Sequence, residues 1–543
     1  MRSVLLAWPF LWAAMVALPP IATSSTSAIA AQPQGNEATD ASAAEPVAPA
    51  VVPDPLEVSR PEISPTQTMT VDDVERRAAI HKLMLVLGTR ANDRKEDQTA
   101  IEAFYKQRDF QPLWTAGGTP TQQAMAAVAQ LKSAITLGLD PEDYPTPDLS
   151  GFLNADAAAL AEIKLTNSIL TFVRHASSGR ISYTRVSGSI LYPAEPFDPA
   201  AILSQLASSK DIDATLSGLE PPQPGYKALK VKLARELAKP SAPKRGKISN
   251  ADLIVANIER WRWMPRDLGT SHVIVNIPQY SLQLLDRGKP VWATRIVVGK
   301  PGDMATPLLS ETIKYLTVNP TWNVPPSIIR NEYLPALQRD SGALERIGLK
   351  IGRNHDGSVR VYQPPGPKNA LGRIRFNFPN PFLVYQHDTP NKNLFAHDKR
   401  ALSHGCMRVQ YSEKYAEALL AISQPKEGMT AARIRDLYGD DERTINLKRP
   451  IPVHITYQTA LVDENDALVT SEDIYGLDAA VLKLMRGPER VVADRSIPRN
   501  YESSSKPVLA RLPKSIGEGG DERRRAFVQP SAGAFYDRAV GTW

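Results

Sequence analysis

The sequence predicts an α+β chain: a helical domain followed by a mostly β domain that carries a helical insertion. Three observations predict it. Between Val71 and about Pro265, apolar residues recur at spacings of three and four, the period of a helix face. After Arg266 the period shifts to two, with β-branched and aromatic residues alternating with polar ones. The side chains best suited to chemistry are concentrated in one stretch of the β half, Pro381 to Arg408.

In chain order, residues 1–30 hold Arg2, an apolar run from Val4 to Leu18 and the small-residue site Ala28-Ile29-Ala30. They read as a secretory signal peptide, with an uncleaved anchor as the alternative, and so point to the periplasm. The run is too short, and too broken by Pro9, to span a bilayer comfortably. No later apolar stretch is long enough, so no transmembrane segment is expected in the mature chain. Residues 31–70 are rich in Ala, Pro, Ser and Glu without a period and read as a disordered spacer.

Residues 71–265 are the helical domain. The helix-period stretches are VERRAAIHKLMLVLG, QQAMAAVAQLKSAITLG and AAALAEIKLTNSILTFVRHA, with Gly88, Gly138 and Gly179 as stop signals. A basic link, Lys239 to Lys247, separates the helix KALKVKLARELA from the block IERWRW (Ile258–Trp263). Residues 266–486 are the β domain. HVIVNI, YSLQLLD, a turn at Arg287-Gly288 and PVWATRIVVG read as strands, and ETIKYLTVNP and SVRVYQ continue the pattern. Residues 325–352, with SIIRNEYLPALQ and ALERIGLK, interrupt it as a helical insertion. Residues 487–543 have no period and read as a disordered tail.

A net charge of +6 in 543 residues, with 42% hydrophobic and 22% charged residues, is ordinary globular usage. Nothing reads as a nucleic-acid module or a phosphate loop. With one cysteine, no internal disulfide can form, so Cys406 must persist as a thiol in an oxidising compartment.

The stretch PFLVYQHDTPNKNLFAHDKRALSHGCMR contains that cysteine and three of the eight histidines: His387, His397 and His404. A thiol is a nucleophile only as thiolate, so it needs a base or a positive field delivered by the fold. FLVYQHD reads as a strand ended by Asp-Thr-Pro-Asn, and alternation puts Tyr385 and His387 on one face. The interval from His387 to Cys406, 406 − 387 = 19 residues, allows a strand, a loop and a return strand. Gly405 beside the thiol allows backbone N–H groups to approach a substrate oxygen closely. The alternatives are an inert buried cysteine and a zinc site. The polar Ser-His-Gly setting opposes the first, and the lack of CxxC or HExxH spacing opposes the second. No metal or other cofactor is expected. In papain-like peptidases the cysteine precedes its histidine, whereas here the better-placed histidine comes first.

His387 followed by Ser-His-Gly-Cys-x-Arg resembles the signature of the L,D-transpeptidases of the YkuD family. The similarity extends to the large periplasmic YcbB-like branch through NPTWNVPPSI, QPPGPKNALGRIRF, VYQHDTP, LFAHDKRALSHGCMRV and IPVHITYQTA, five blocks in order over roughly two hundred residues. AFYKQRDFQPLW and LGLDPEDY resemble that branch's scaffold domain. The chain departs from the branch in lacking a peptidoglycan-binding module before IERWRW.

The resemblance implies Cys406 as nucleophile, His387 as general base, His404 at the oxyanion site and Gly405 beside it. Asp388 and Ser403 are the two positions matching the carbonyl that orients the imidazole. It also implies peptidoglycan stem peptides as donor and acceptor, joined 3→3, with carbapenems as acylating inhibitors. Tyr385, Asp388 and Arg408 are expected near substrate, Arg408 either anchoring an anionic group or bracing its loop. The insertion is expected to be a lid over the site, with Tyr333, Leu334 and the nearby Trp322 as candidate substrate contacts. His397 is expected to be a solvated loop residue. Three other acceptors stay open for the same thioester: water, giving an L,D-carboxypeptidase; an envelope-protein amine; and a free D-amino acid. A non-catalytic envelope-binding protein is the reading from a different class.

Overall fold

The computed structural model describes residues 71–486 except 88–93, 118, 150, 152–153, 194, 240–247, 354–356 and 358. The expected signal peptide, spacer and tail, Gly88 and most of the basic link lie outside the described residues.

Helices α1 (Val71–Leu87), α2 (Lys95–Gln107), α3 (Gln122–Lys132), α4 (Ala155–Ser178), α5 (Pro199–Ser208) and α6 (Ile212–Gly218) build the first half. Side-chain caps begin several of them. Thr121 accepts from Ala124 N and Asn154 from Ala157 N, while Asp198 precedes a first-turn proline. Gly179, at φ 99°, ends α4, where a Cβ would press on Glu259 and Trp263. Ile101, Tyr105, Trp114, Leu131, Ile169 and Leu203 contribute to this half's core.

The boundary between cores lies earlier than the expected residue 265. Helices α7 (Pro224–Leu237) and α8 (Asn250–Trp263) bury Tyr226, Leu229, Leu233, Ile254, Ile258 and Trp263 in the core that also holds the sheet. Ile190–Leu191 even adds a parallel strand to the sheet, and Tyr192 Oη donates to Ile455 O at 2.8 Å. Helix α8 begins with a capping box between Ser249 and Asp252. Its IERWRW end clasps both sides. Arg262 Nη2 donates to Leu137 O at 2.6 Å, and Arg260 Nη2 donates to Asp478 Oδ1 at 2.5 Å in the helix Leu477–Arg486. Each guanidinium is buried against a carboxylate, Glu259 for Arg262 and Asp478 for Arg260, so removing one partner would leave an uncompensated buried charge.

The sheet strands are β1 (Ser271–Asn276), β2 (Ser281–Asp286), β3 (Lys289–Gly299), β4 (Leu308–Val318), β5 (Ile374–Asn377), β6 (Gln386–His387), β7 (Ala401–Ser403), β8 (Met407–Val409) and β9 (Arg443–Thr456). Their order is β5-β6-β8-β3-β2-β1-β9-β4, with β7 on β3. Strand β5 also pairs with β4, so the sheet closes on itself and has no free edge at the catalytic stretch.

The insertion is larger than residues 325–352. Trp322–Asn323, Lys350–Arg353 and Val359–Gln363 form a separate three-stranded sheet, so SVRVYQ belongs to the insertion and not to the main sheet. A helical segment runs from Pro326 through Arg339, followed by Ala343–Arg346. Val324, Ile329, Leu337, Leu344, Leu349 and Val361 give it its own small core. No described helix is long and apolar enough to cross a membrane.

Candidate active site

Three adjacent short strands, β5, β6 and β8, place the chemistry. Strand β6 has only two residues, fewer than FLVYQHD suggests. Asn380 ties a turn by donating to Phe378 O and Val384 O, both at 2.7 Å, and Leu383 sits at φ 56°, so pairing starts only at Gln386. Strand β8 is parallel to β6 rather than a hairpin return. The intervening chain makes a 3₁₀ turn at Lys392–Ala396 and pairs β7 with β3 before arriving.

The pleat sorts the side chains into two faces. Ile374, Phe376, Gln386, Met407 and Val409 are buried on the core side, where Tyr415 Oη donates to Gln386 Oε1 at 2.8 Å. Arg375, His387, Arg408 and, one register step back, Tyr385 and Cys406 take the other face. His387 is the Cα partner of both Arg375 and Arg408, so the three form one row across three strands. Extending the β6–β8 register sets Tyr385 beside Cys406, which puts the His387 and Cys406 Cα atoms roughly 8 Å apart from strand spacing and rise. An imidazole can span that interval.

The sulfur is partly buried and packs at the border of the sheet core. Burial pushes its pKa up to about 11, opposed by hydrogen bonds from both the main chain and the phenol of Tyr385 and by the charges of Arg375 and Arg408. His387 is buried. Burial, and next the Arg408 charge, pull its pKa down to about 4, so at neutral pH the ring is an uncharged base. Its Nδ1 lies 2.5 Å from the Asp388 carbonyl, which fixes Nδ1 as the donor and leaves the lone pair on Nε2. The Leu371 main chain also contacts the ring, and the Tyr385 and His387 ring centroids are 5.7 Å apart.

Of the two positions matching the orienting carbonyl, the geometry selects Asp388. Its carboxylate, expected near substrate, is instead buried: Oδ2 accepts from Arg373 N at 2.8 Å and Oδ1 pairs with Lys392. This clamps the Leu371–Arg373 loop under the imidazole, and Gly372 at φ 63° leaves no room for a Cβ against that carboxylate. Gly372→Ala is therefore expected to destabilise the fold by ~2 kcal/mol and to slow labelling of Cys406, as read by denaturant melts and thiol alkylation.

Ser403 is not on the imidazole either. Its hydroxyl donates to Cys406 O at 2.5 Å and accepts from Gly405 N at 3.2 Å, bracing the turn that presents the thiol. Gly405 holds φ 118°, and its carbonyl accepts from Thr306 Oγ1 at 2.8 Å. Thr306 in turn is held by Tyr475, whose phenol accepts from Thr306 N at 3.2 Å and donates to Gly299 O at 2.7 Å.

The partner of His404 lies outside its own loop. The imidazole is turned to the insertion, where Nε2 pairs with Glu332. That contact ties the Ser403–Cys406 turn to the insertion, and Glu332→Gln is expected to speed hydrogen exchange across residues 326–346 without changing that of β1 or β9. Trp322 and Tyr333 pack partly buried against the insertion's own core. His397 is exposed, as its polar setting suggests. No cluster of His, Cys, Asp and Glu that could hold a metal occurs among the described residues.

Residue-by-residue reading missed Arg375, although the alternation in GRIRF contained the signal: Ile374 and Phe376 point inward, so Arg375 points to the site. It also missed Thr306 and Tyr475, for which no local motif exists.

Residues 270–439 match the family described as the L,D-transpeptidase catalytic domain, YkuD, and residues 99–233 match the one described as the scaffold domain. A Haemophilus influenzae protein assigned as an L,D-transpeptidase is 26% identical over 407 residues, 70% of this chain and 78% of that one. Among solved structures, an L,D-transpeptidase from Mycobacterium smegmatis aligns over 34% of this chain and 58% of its own, under two thirds of its length, at 13% identity and a TM-score of 0.19. A variant L,D-transpeptidase of Enterococcus faecium aligns over 50% of this chain and 98% of its own, at 12% identity and a TM-score of 0.19. The chain thus carries a scaffold domain ahead of a YkuD domain, the catalytic domain of L,D-transpeptidases, a family that acts on peptidoglycan.

Proposed function

We propose that this protein is a periplasmic L,D-transpeptidase that forms 3→3 cross-links through a thioester on Cys406. The observation that carries the proposal is the shared face: one thiol, a neutral buried imidazole, a phenol on the sulfur and a glycine at φ 118° stand together on three adjacent strands.

In this reading His387 Nε2 takes the Cys406 proton as sulfur attacks the carbonyl preceding the terminal D-Ala of a tetrapeptide stem. The phenol of Tyr385 stabilises the developing thiolate. The Gly405 N–H already donates to Ser403 and the Met407 N–H to Tyr385 O, so the Cys406 N–H is the loop donor assigned to the oxyanion. Such a donor is typically worth roughly 3 kcal/mol of barrier. The tetrahedral adduct collapses to a thioester, breaking the C–N bond, and His387 returns its proton to the departing D-Ala nitrogen. A side-chain amine of diaminopimelate on a second stem then attacks the thioester. His387 relays that amine's proton back to sulfur, and the amide cross-link forms. The insertion, tied to the nucleophile loop through Glu332, shields the thioester from water meanwhile.

Incubating the purified protein with tetrapeptide muropeptides and resolving the products by mass tests this. Dimers with 3→3 linkage are expected. Release of D-Ala without dimers makes the protein a carboxypeptidase, and no change makes it a binding protein.

A further inference from the structure

The Arg375–His387–Arg408 row contains two cations without an anion. Among the described residues neither guanidinium has a carboxylate partner or a hydrogen-bond acceptor. The Nε atoms of both are buried without a partner, and Arg375's one neighbourly contact is the Tyr385 ring, 5.5 Å from its guanidinium carbon. Three more deeply buried arginines are each paired with a carboxylate: Arg174 with Asp97, Arg260 with Asp478 and Arg262 with Glu259. Leaving two half-buried guanidinium groups unpaired on one face is costly, and it raises the barrier to charging the histidine between them. The fold keeps both, either side of His387 and within one register step of the sulfur.

We propose that Arg375 and Arg408 form a seat for one carboxylate of the donor, its free C-terminal carboxylate, and thereby restrict the enzyme to the last peptide bond of a chain. This rests on the reaction proposed above. In a peptide ending in a free acid, that carboxylate lies only three bonds from the scissile carbonyl carbon. An anion held beside the sulfur by the row would therefore bring the terminal bond, and no internal bond, to Cys406. Two guanidinium forks suit one carboxylate geometrically. Arg375 is then a specificity residue for the leaving group, and Arg408 anchors rather than braces.

A diaminopimelate side-chain carboxylate offers the same chemistry, so the test uses three donors. These are the tetrapeptide stem, the same stem with a C-terminal carboxamide, and the stem amidated on diaminopimelate alone. The wild-type enzyme is expected to lose roughly 10- to 100-fold in kcat/KM on the terminal carboxamide and to tolerate the other amide. In Arg375→Gln and Arg408→Gln the acid-to-carboxamide ratio is expected to fall toward one, with Arg375→Lys restoring part of it. A penalty that follows the diaminopimelate amide instead, or that survives unchanged in both Gln variants, overturns the proposal.

A measurement independent of turnover separates this from failure of the reaction itself: protection of Cys406 against iodoacetamide by the stem peptide and by its carboxamide. Protection by the acid alone supports the seat even if no product forms, and equal protection by both overturns it. Thermal melts of the Gln variants identify any that fail to fold, and the Lys variant then carries the comparison.

Discussion

Cys406→Ala is expected to abolish thioester formation, lowering acylation by several orders of magnitude, as loss of a catalytic nucleophile does. Nothing nearby can replace the sulfur: the Ser403 hydroxyl is committed to the main chain of its own turn, and there is no second cysteine. Mass spectrometry after exposure to a carbapenem checks it. The wild type should carry one adduct and the variant none, and an adduct on the variant would place the nucleophile elsewhere. The raised pKa adds a signature. Because burial holds the thiol protonated at neutrality, alkylation by iodoacetamide should keep rising about tenfold per pH unit through pH 7–9 and level only near 11. A plateau near neutrality would show a resting thiolate–imidazolium pair instead.

His387→Ala is expected to lower the acylation rate by roughly 10²- to 10⁴-fold, the range for loss of a positioned general base, with folding retained. His397→Ala should leave it unchanged, since that ring lies in solvent. The pH dependence follows from the sign of the shift. Burial and Arg408 depress the imidazole's pKa to about 4, so the ring is neutral and able to accept a proton at every pH above that, and activity falls only as pH drops through about 4. An unperturbed histidine would put this acid limb near 6.5. Arg408→Gln removes a repelling cation and should move the limb upward. A limb that stays near 6.5 in the wild type would show that the ring is not the buried one described here.

Much of the fold was legible because its periods are strong. The helices from Gln122 to Ser178 and the strands from Ser271 to Gly299 fall where the spacing of apolar residues puts them. What escaped the sequence depended on contacts distant along the chain. Nothing local to KALKVKLARELA or IERWRW says that their apolar faces join the sheet's core rather than that of the preceding helices. Likewise SVRVYQ has a strand's composition in either sheet, and only the pairing with Lys350–Arg353 assigns it to the insertion.

The candidate site was readable to a similar extent. A lone cysteine after Ser-His-Gly, with a histidine on a neighbouring strand, is a local pattern. The parts that orient them are not. That the imidazole lies 2.5 Å from the Asp388 carbonyl, and that the Asp388 carboxylate holds the Leu371–Arg373 loop, are contacts no local pattern records. The imidazole of His404 sits on Glu332, 404 − 332 = 72 positions upstream in an insertion whose docking no motif records. Tyr475 lies beyond the end of the catalytic-family match at residue 439 and still props the glycine next to the thiol through Thr306.

The helix Asn250–Trp263 grips the helical half with Arg262 and the C-terminal helix with Arg260. A fragment beginning at Ser271 would therefore strip Ile254, Ile258 and Trp263 from the sheet's packing and strand Asp478 as a lone buried anion. For anyone excising the catalytic half for assays or crystals, the cut belongs upstream of Ile181, so that the recombinant piece keeps the Ile190–Leu191 strand and both helices that seal it.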